Sequence, residues 1–161
     1  MCRGFSLLEL LTSLVIVGVL LSIGLSYSLV TQRTQQIKSA GEELLSFVET
    51  AKSIAQSRKT PMWIDVRSST QVGDWSLHLA DELDPESLIL DGQRFPLVAL
   101  HITYLDDRIV LLGERGKISN GSLTLMTDND AAEGLKLITS YGAGRVRLCS
   151  VSGAAYGYPA C

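Results

Sequence analysis

The sequence predicts an α+β fold, in which one long N-terminal helix packs against antiparallel β-structure. Three observations predict it: no proline precedes Pro61, apolar residues keep helical spacing to about residue 58, and strict alternation begins after Pro61. A proline ends or kinks a helix because it lacks an N–H and clashes with the preceding turn. Residues 61–161 are therefore expected to form a β-rich head domain.

The first half of the predicted helix is apolar on every side. From Leu10 to Gln32 there are 23 consecutive residues without a charged side chain. About 20 apolar residues in a helix span a hydrocarbon core of roughly 30 Å. We therefore expect residues 5–32 to cross a membrane once. Residues 33–60 should continue the same helix, from Phe5 to Arg58 in all, which at ~1.5 Å per residue is about 80 Å long.

The second half of the helix is amphipathic. Its apolar side chains recur every three or four residues, and its charged side chains occupy the opposite face. This half is expected to lie against a sheet. The apolar positions are Ile37, Ala40, Leu44, Val48, Ala51 and Ile54, and the charged ones are Lys38, Glu42, Glu49 and Lys52.

Short strands separated by turns follow Pro61. The segments around Ile64 and Leu77 alternate apolar and polar residues, and Glu82–Gly92 has four acidic residues, which predicts a surface loop. Turn signals occur at Asp91-Gly92, Asn120-Gly121 and Gly142-Ala143-Gly144. Further strand candidates are Leu97–Tyr104, Arg108–Leu112, Ser122–Met126, Leu135–Tyr141 and Val146–Cys149.

Charge and cysteine content limit the function classes. The formal net charge is −3, so general binding to nucleic acid or anionic lipid is not favoured and would need a local basic patch.

Cys149 and Cys161 lie close together beyond the apolar segment, whereas Cys2 precedes it. This spacing favours a Cys149–Cys161 disulfide in an oxidising compartment, over two separately buried thiols.

The N-terminus does not fit a secretory signal peptide. The basic stretch is only a few residues long, the apolar stretch is too long, and no small-residue exit site follows it. Glu9 is a lone carboxylate near the start of this apolar segment, and intramembrane ionisable groups usually have a partner. If the chain is cut after Gly4, Phe5 gains a charged α-amine. The Glu9 carboxylate of a neighbouring subunit could pair with that amine and fix the register between helices.

The segment Gly4-Phe5-Ser6-Leu7-Leu8-Glu9 resembles the type IV prepilin signature. That resemblance implies residues 1–4 as a leader, cleavage between Gly4 and Phe5 by a prepilin peptidase, N-methylation of Phe5 and an assembly role for Glu9. It also implies the type IV pilin fold and location in the inner membrane, with the head in the periplasm, before entry into a filament. An ordinary single-pass membrane protein with a stray glutamate is the alternative.

Two segments of the head resemble the GspH/FimT group of minor pilins. They are the stretch from Leu111 to Leu125 and the stretch from Leu137 to Arg147, which ends in Gly-Arg-x-Arg. In that group the head is a two-sheet β fold, and the subunits act near the tip of a pilus or pseudopilus. This resemblance leaves two candidate functions. One is a minor pilin of FimT or FimU type, and the other is an H-type pseudopilin of a type II secretion system; the first is favoured.

The sequence contains no recognisable catalytic motif. His78 and His101 lack metal-ligand spacing, and no nucleophile elbow or phosphate-binding loop occurs. Asp128-Asn129-Asp130 lacks the glycine and the glutamate of a calcium loop. The sequence therefore predicts a structural subunit that is not an enzyme and has no catalytic residue, metal or cofactor. Its expected partners are the prepilin peptidase, other pilins or pseudopilins and the inner membrane.

Double-stranded DNA is a further candidate partner. Residues two apart in a strand point to the same face, so Arg145 and Arg147 would project together about 7 Å apart, close to the spacing of successive phosphates. The resemblance to FimT-type pilins implies DNA binding at these two arginines. Arg115 and Lys117 are candidate helpers, and the Cys149–Cys161 loop, with Tyr156 and Tyr158, would brace the patch. The alternative is a pair of arginines in salt bridges or subunit contacts.

Overall fold

A computed structural model describes residues 6–69, 71–82, 87–127 and 134–161, without the side chains of residues 22–30. The chain divides into two compact units, Met1–Thr34 and Gln35–Cys161. The predicted leader, the cleavage site between Gly4 and Phe5, and the Asp128-Asn129-Asp130 turn lie outside the described residues.

The long helix is present as α1, Leu7–Arg58. It ends at the predicted residue because Lys59 takes a left-handed conformation, φ 55°, and Pro61 begins the first strand. Within the described residues, no helix combines the length and the apolar character needed to cross a membrane. The predicted start at Phe5 lies outside the described residues.

From Leu7 to Leu21, the apolar side chains of α1 are exposed on all sides of the helix. Between Leu7 and Leu21 the large apolar side chains are between 52% and 80% exposed. Burying a leucine or valine side chain is worth about 1.5–3 kcal/mol, so this surface is costly to leave in water. Burial of these side chains in apolar surroundings would therefore be favourable.

The head consists of two antiparallel sheets. Their strand orders are β3-β2-β1-β5-β6 in the larger sheet and β4-β7-β8-β9 in the smaller one. The prediction of an α+β fold with a two-sheet head is confirmed. The strands are β1 Pro61–Ser68, β2 Trp75–Ala80, β3 Leu88–Asp91, β4 Ala99–Ile102, β5 Arg108–Leu112, β6 Lys117–Ile118, β7 Gly121–Met126, β8 Gly134–Ser140 and β9 Arg145–Ser150.

The prediction of a surface loop over Glu82–Gly92 is wrong for its second half. Strand β3 occupies this span, and its Leu90 pairs with Leu77 of β2 and is buried. Four residues are too few to show alternation, and the acidic residues around them suggested a loop. The predicted Asp91-Gly92 turn is a short 3₁₀ helix, in which Asp91 accepts a hydrogen bond from the Gln93 N–H.

One hydrophobic core joins the two sheets and the amphipathic half of α1. The predicted apolar positions of the helix are buried, except Ile54, which is half-buried. Gly41 allows a close approach, since a Cβ there would lie 2.8 Å from a methyl group of Leu135. The prediction that this half of the helix lies against a sheet is therefore confirmed.

A hydrogen-bonded chain of hydroxyl groups fixes the segment after β4. The Tyr104 hydroxyl lies 2.7 Å from Thr139 Oγ1, which in turn donates to the Ser119 carbonyl at 2.5 Å. Burial raises the pKa of Tyr104 to about 12, although its bond to Thr139 works in the opposite direction. Tyr104 thus stays protonated at physiological pH and fixes the start of the loop that follows it.

Candidate functional site

Glu9 lies in the first turn of α1, where a negative charge is favoured by the helix dipole. Its side chain is exposed, and Thr12 and Ser13 donate to its backbone carbonyl rather than to its carboxylate. Among the described residues, the carboxylate has no hydrogen-bond or ion-pair partner. Its predicted pairing with the Phe5 amine of a neighbour stays a prediction.

Arg145 and Arg147 both lie exposed on β9, at the edge of the smaller sheet. They are paired with Ser140 and Ile138 of β8, so both arginines point to the face away from the core. Arg147 Nη2 donates to the Ala160 carbonyl at 2.9 Å. The Arg145 side chain forms no hydrogen bond or ion pair within the part of the chain that the structure describes.

A tight contact between two turns brings the other predicted basic residues to Arg145. Gly144 has φ +57°, and a Cβ there would lie 2.3 Å from the Gly116 carbonyl oxygen. Gly116 separates Arg115 from Lys117, so both flank the start of β9. Lys117 Nζ also lies 4.5 Å from the centroid of the Tyr141 ring. The structure therefore brings Arg115, Lys117 and Arg145 to one end of the head.

Lys52 is a fifth basic residue at this site that the sequence did not indicate. Its Nζ donates to the Gly144 carbonyl at 2.5 Å, across 92 positions of sequence. Lys52 lies on α1, and in the sequence it looks like any other charged residue on the solvent-facing side of an amphipathic helix. Glu49 lies 3.9 Å from Lys52, and Glu114 directly precedes Arg115, so two acidic residues border this end. An acidic chain thus carries a locally basic surface, which we call the β9 basic patch (Lys52, Arg115, Lys117, Arg145 and Arg147).

The predicted Cys149–Cys161 disulfide is present. It holds the C-terminal residues beside β9, where the Ser150 N–H donates to the Pro159 carbonyl and the Cys161 N–H donates to the Ser150 carbonyl. This segment covers the β9 edge and supplies the carbonyl that holds Arg147. Tyr156 and Tyr158 pack on the core instead, and burial, followed by the nearby Glu42 charge, raises the pKa of Tyr158.

The two histidines lie in strands and apart from the basic patch. His78 is buried on β2, with Nε2 at 2.9 Å from Ser76 Oγ, and His101 is exposed on β4. Among the described residues, no three histidine, cysteine or acidic side chains come together as a metal site would require. Neither histidine is placed where it could act on a ligand at β9.

Comparisons with known proteins agree with the fold and with the N-terminal motif. Residues 1–25 match the prokaryotic N-terminal methylation motif, and residues 40–153 match the family described as type II transport protein GspH. No curated protein matches the chain.

The fold is similar to that of the type IV minor pilin FimU of Pseudomonas aeruginosa in two crystal forms. The first has a TM-score of 0.61 at 19% identity, covering 74% of this chain and 92% of FimU. The second has a TM-score of 0.57 at 18% identity, covering 73% of this chain and 96% of FimU. The chain therefore has the type IV pilin fold and belongs to the GspH family, whose members are minor pilins and pseudopilins.

Proposed function

We propose that the chain is a minor pilin at or near the tip of a type IV pilus, where it aids filament assembly. One observation carries the proposal: α1 exposes apolar side chains on all sides from Leu7 to Leu21, with a single carboxylate, Glu9, in its first turn. Such a surface suits a segment that is stored in the inner membrane and later packs among other helices.

The chemistry of assembly follows from one cleavage. Cutting after Gly4 removes Arg3 and creates an α-amine on Phe5, four residues before Glu9. An ion pair in an apolar medium is favourable only when both charges meet their partner, so Glu9 would select the register of the neighbouring helix. The prepilin peptidase supplies the cleavage and methylation, and the chain itself needs no catalytic group.

Mass spectrometry of the purified mature chain tests the processing step. We expect a chain that begins at N-methylated Phe5, lighter than the full chain by residues 1–4 and heavier than the bare product by one methyl group. A Gly4→Val variant should retain its first four residues, because the glycine before the cut is part of the motif that the peptidase recognises. Recovery of an intact Met1 in the wild-type protein, or of a new N-terminus inside the apolar segment, would reject the assignment.

We further propose that the β9 basic patch binds double-stranded DNA. Arg145 and Arg147 are exposed on one face, and Arg115 and Lys117 lie beside them across the Gly116–Gly144 contact. Phosphate contacts of this kind depend on charge and not on base sequence, so binding should be nonspecific and salt-dependent. A net acidic head would otherwise repel DNA, which makes the local patch necessary.

A salt titration with paired variants tests DNA binding. We expect the full-length chain in detergent to bind a duplex with a log–log salt slope of about −0.9 per phosphate neutralised. Replacing Arg145 and Arg147 by alanine should reduce that slope by about 1.8, because two phosphate contacts are lost. Arg67→Ala removes an exposed arginine of β1 and is the matched control. An unchanged slope in the double variant would exclude these arginines as DNA ligands.

The second candidate function is that of an H-type pseudopilin of a type II secretion system. The description of the matched family favours it. Both functions share the processed N-terminus and the apolar helix, so deletion in the source bacterium separates them. Loss of surface pili would support the minor pilin, and loss of exoprotein secretion with pili intact would support the pseudopilin.

A further inference from the structure

Strand β4 has one backbone edge without a strand beside it. It is the end strand of the smaller sheet and pairs only with β7. The Thr103 N–H donates to the Ser122 carbonyl, so the backbone N–H and C=O groups of Thr103 point toward β7. Backbone groups alternate along a strand, so Leu100 and Ile102 direct their N–H and C=O groups away from β7. Among the described residues, those groups have no hydrogen-bond partner.

The second half of β1 also has an unpaired side. Its pairing with β5 stops at Asp65, opposite Arg108, whereas its pairing with β2 continues to Ser68, opposite Trp75. Beyond Asp65, β1 therefore has a strand on one side only among the residues that the structure describes.

The open edge of β4 and the last residue of β1, Ser68, line the same groove. Ser68 and Ser69 lie on one wall and the four residues of β4 on another, with Met126 and Asp107 completing the lining. The cavity volume is about 580 Å³. Unpaired N–H and C=O groups on the walls of an open groove are a ready template for an extended backbone.

The turn after β4 places acidic residues at one end of the groove. Asp106 and Asp107 both have left-handed conformations, φ 55° and 51°, and both are exposed. Among the described residues, neither carboxylate has a hydrogen-bond or ion-pair partner. Tyr104 fixes the start of this turn through Thr139, and Leu105 is 86% exposed beside the acids.

We propose that this groove, which we call the β4 groove, accepts an extended segment of a neighbouring filament subunit by β-strand addition, with a lysine or arginine of that segment beside Asp107. The open edges select an extended backbone, since only that conformation presents N–H and C=O groups at the spacing of Leu100 and Ile102. The Asp107 carboxylate lines one end of the groove and favours a basic side chain there, and Asp106 adds a second negative charge next to it in sequence. The identity of the neighbour as a filament subunit rests on the proposed function.

Hydrogen exchange with synthetic strands tests the β4 groove on the full-length chain in detergent. The probe is the peptide acetyl-Ser-Val-Thr-Val-Thr-Val-Thr-Lys-Lys-amide, and the control peptide has glutamates in place of both lysines. At millimolar lysine peptide, we expect the amides of Leu100 and Ile102 to exchange at least about tenfold more slowly. The amides of β3, the end strand of the other sheet, should be unchanged.

Asparagine variants of the two acids provide the matched test of charge. Asn tolerates left-handed backbone, so Asp106→Asn with Asp107→Asn keeps the turn and removes the charge. We expect the lysine peptide to bind the double variant several-fold more weakly, and the glutamate peptide to bind the wild-type chain no more strongly than it binds the variant.

Three results would overturn the proposal: unchanged exchange at Leu100 and Ile102, equal binding of the two peptides, or equal protection of β3. The assay does not depend on filament assembly. Loss of the expected peptide binding in a chain that assembles normally would therefore reject the β4 groove alone. Loss of filament assembly in a chain that binds the peptide normally would reject the proposed function.

Discussion

Replacing Glu9 with glutamine is expected to reduce incorporation of the chain into filaments by roughly ten- to a hundredfold. The substitution keeps the size and helix propensity of the side chain and removes its charge. A charge-assisted hydrogen bond contributes about 1.5–3 kcal/mol, and the proposed pair of Glu9 with the Phe5 amine of a neighbour would form only in the assembled state. The measurement is the ratio of chain in sheared filaments to chain in membranes, by quantitative immunoblot.

Glu49→Gln is the matched control for this experiment. Glu49 lies on the same helix, is exposed, and pairs with Lys52 at 3.9 Å. Exposed pairs of that kind contribute at most about 1 kcal/mol, so the control should assemble almost normally. Wild-type incorporation of the Glu9→Gln chain would show that the carboxylate does not set the register of assembly.

Removing the disulfide is expected to lower the free energy of unfolding by about 3 kcal/mol. The bond joins residues 12 positions apart and keeps Pro159–Cys161 hydrogen-bonded along β9. A Cys161→Ser variant leaves Cys149 as a buried thiol, so the change reports the loss of the loop constraint. Urea titration of the full-length chain in detergent, followed by the fluorescence of the buried Trp75, measures the effect.

Ser152→Ala, an exposed position of the same loop, serves as the control and should change the free energy of unfolding little. Reductant provides a second comparison, because it should lower the stability of the wild-type chain to that of Cys161→Ser and leave the variant unaffected. Equal stability of wild type and Cys161→Ser under oxidising conditions would mean that the disulfide is not holding the C-terminal segment.

Much of the fold could be predicted from periodicity, and the exceptions have a physical reason. The helix end at Arg58 follows from a proline, and the strand β5 at Arg108–Leu112 follows from a short apolar run bounded by turns; both are confirmed. Strands β3 and β6 have four and two residues, which is too short for a period to show. Their structure depends on pairing with distant strands.

The candidate site was predictable only where it depends on neighbours in sequence. Arg145 and Arg147 share a strand, so their common face follows from a period of two. Lys52 could not be placed there, because its bond to Gly144 arises from packing of the helix on the turn before β9. The β4 groove was also missed, since an open edge is a property of sheet order and not of any short segment.

The location of the core divides the chain by what constrains each residue. Of the residues whose side chains the structure describes, every buried member of the core lies at or after Ile37. Substitutions from Ile37 onward therefore act mainly through the stability of the folded chain itself. Substitutions between Leu7 and Leu21 are expected to act mainly through contacts with other molecules. A damaging change between Leu7 and Leu21 should consequently be compensated by mutations in the genes of neighbouring subunits. A damaging change from Ile37 onward should be compensated within the same gene.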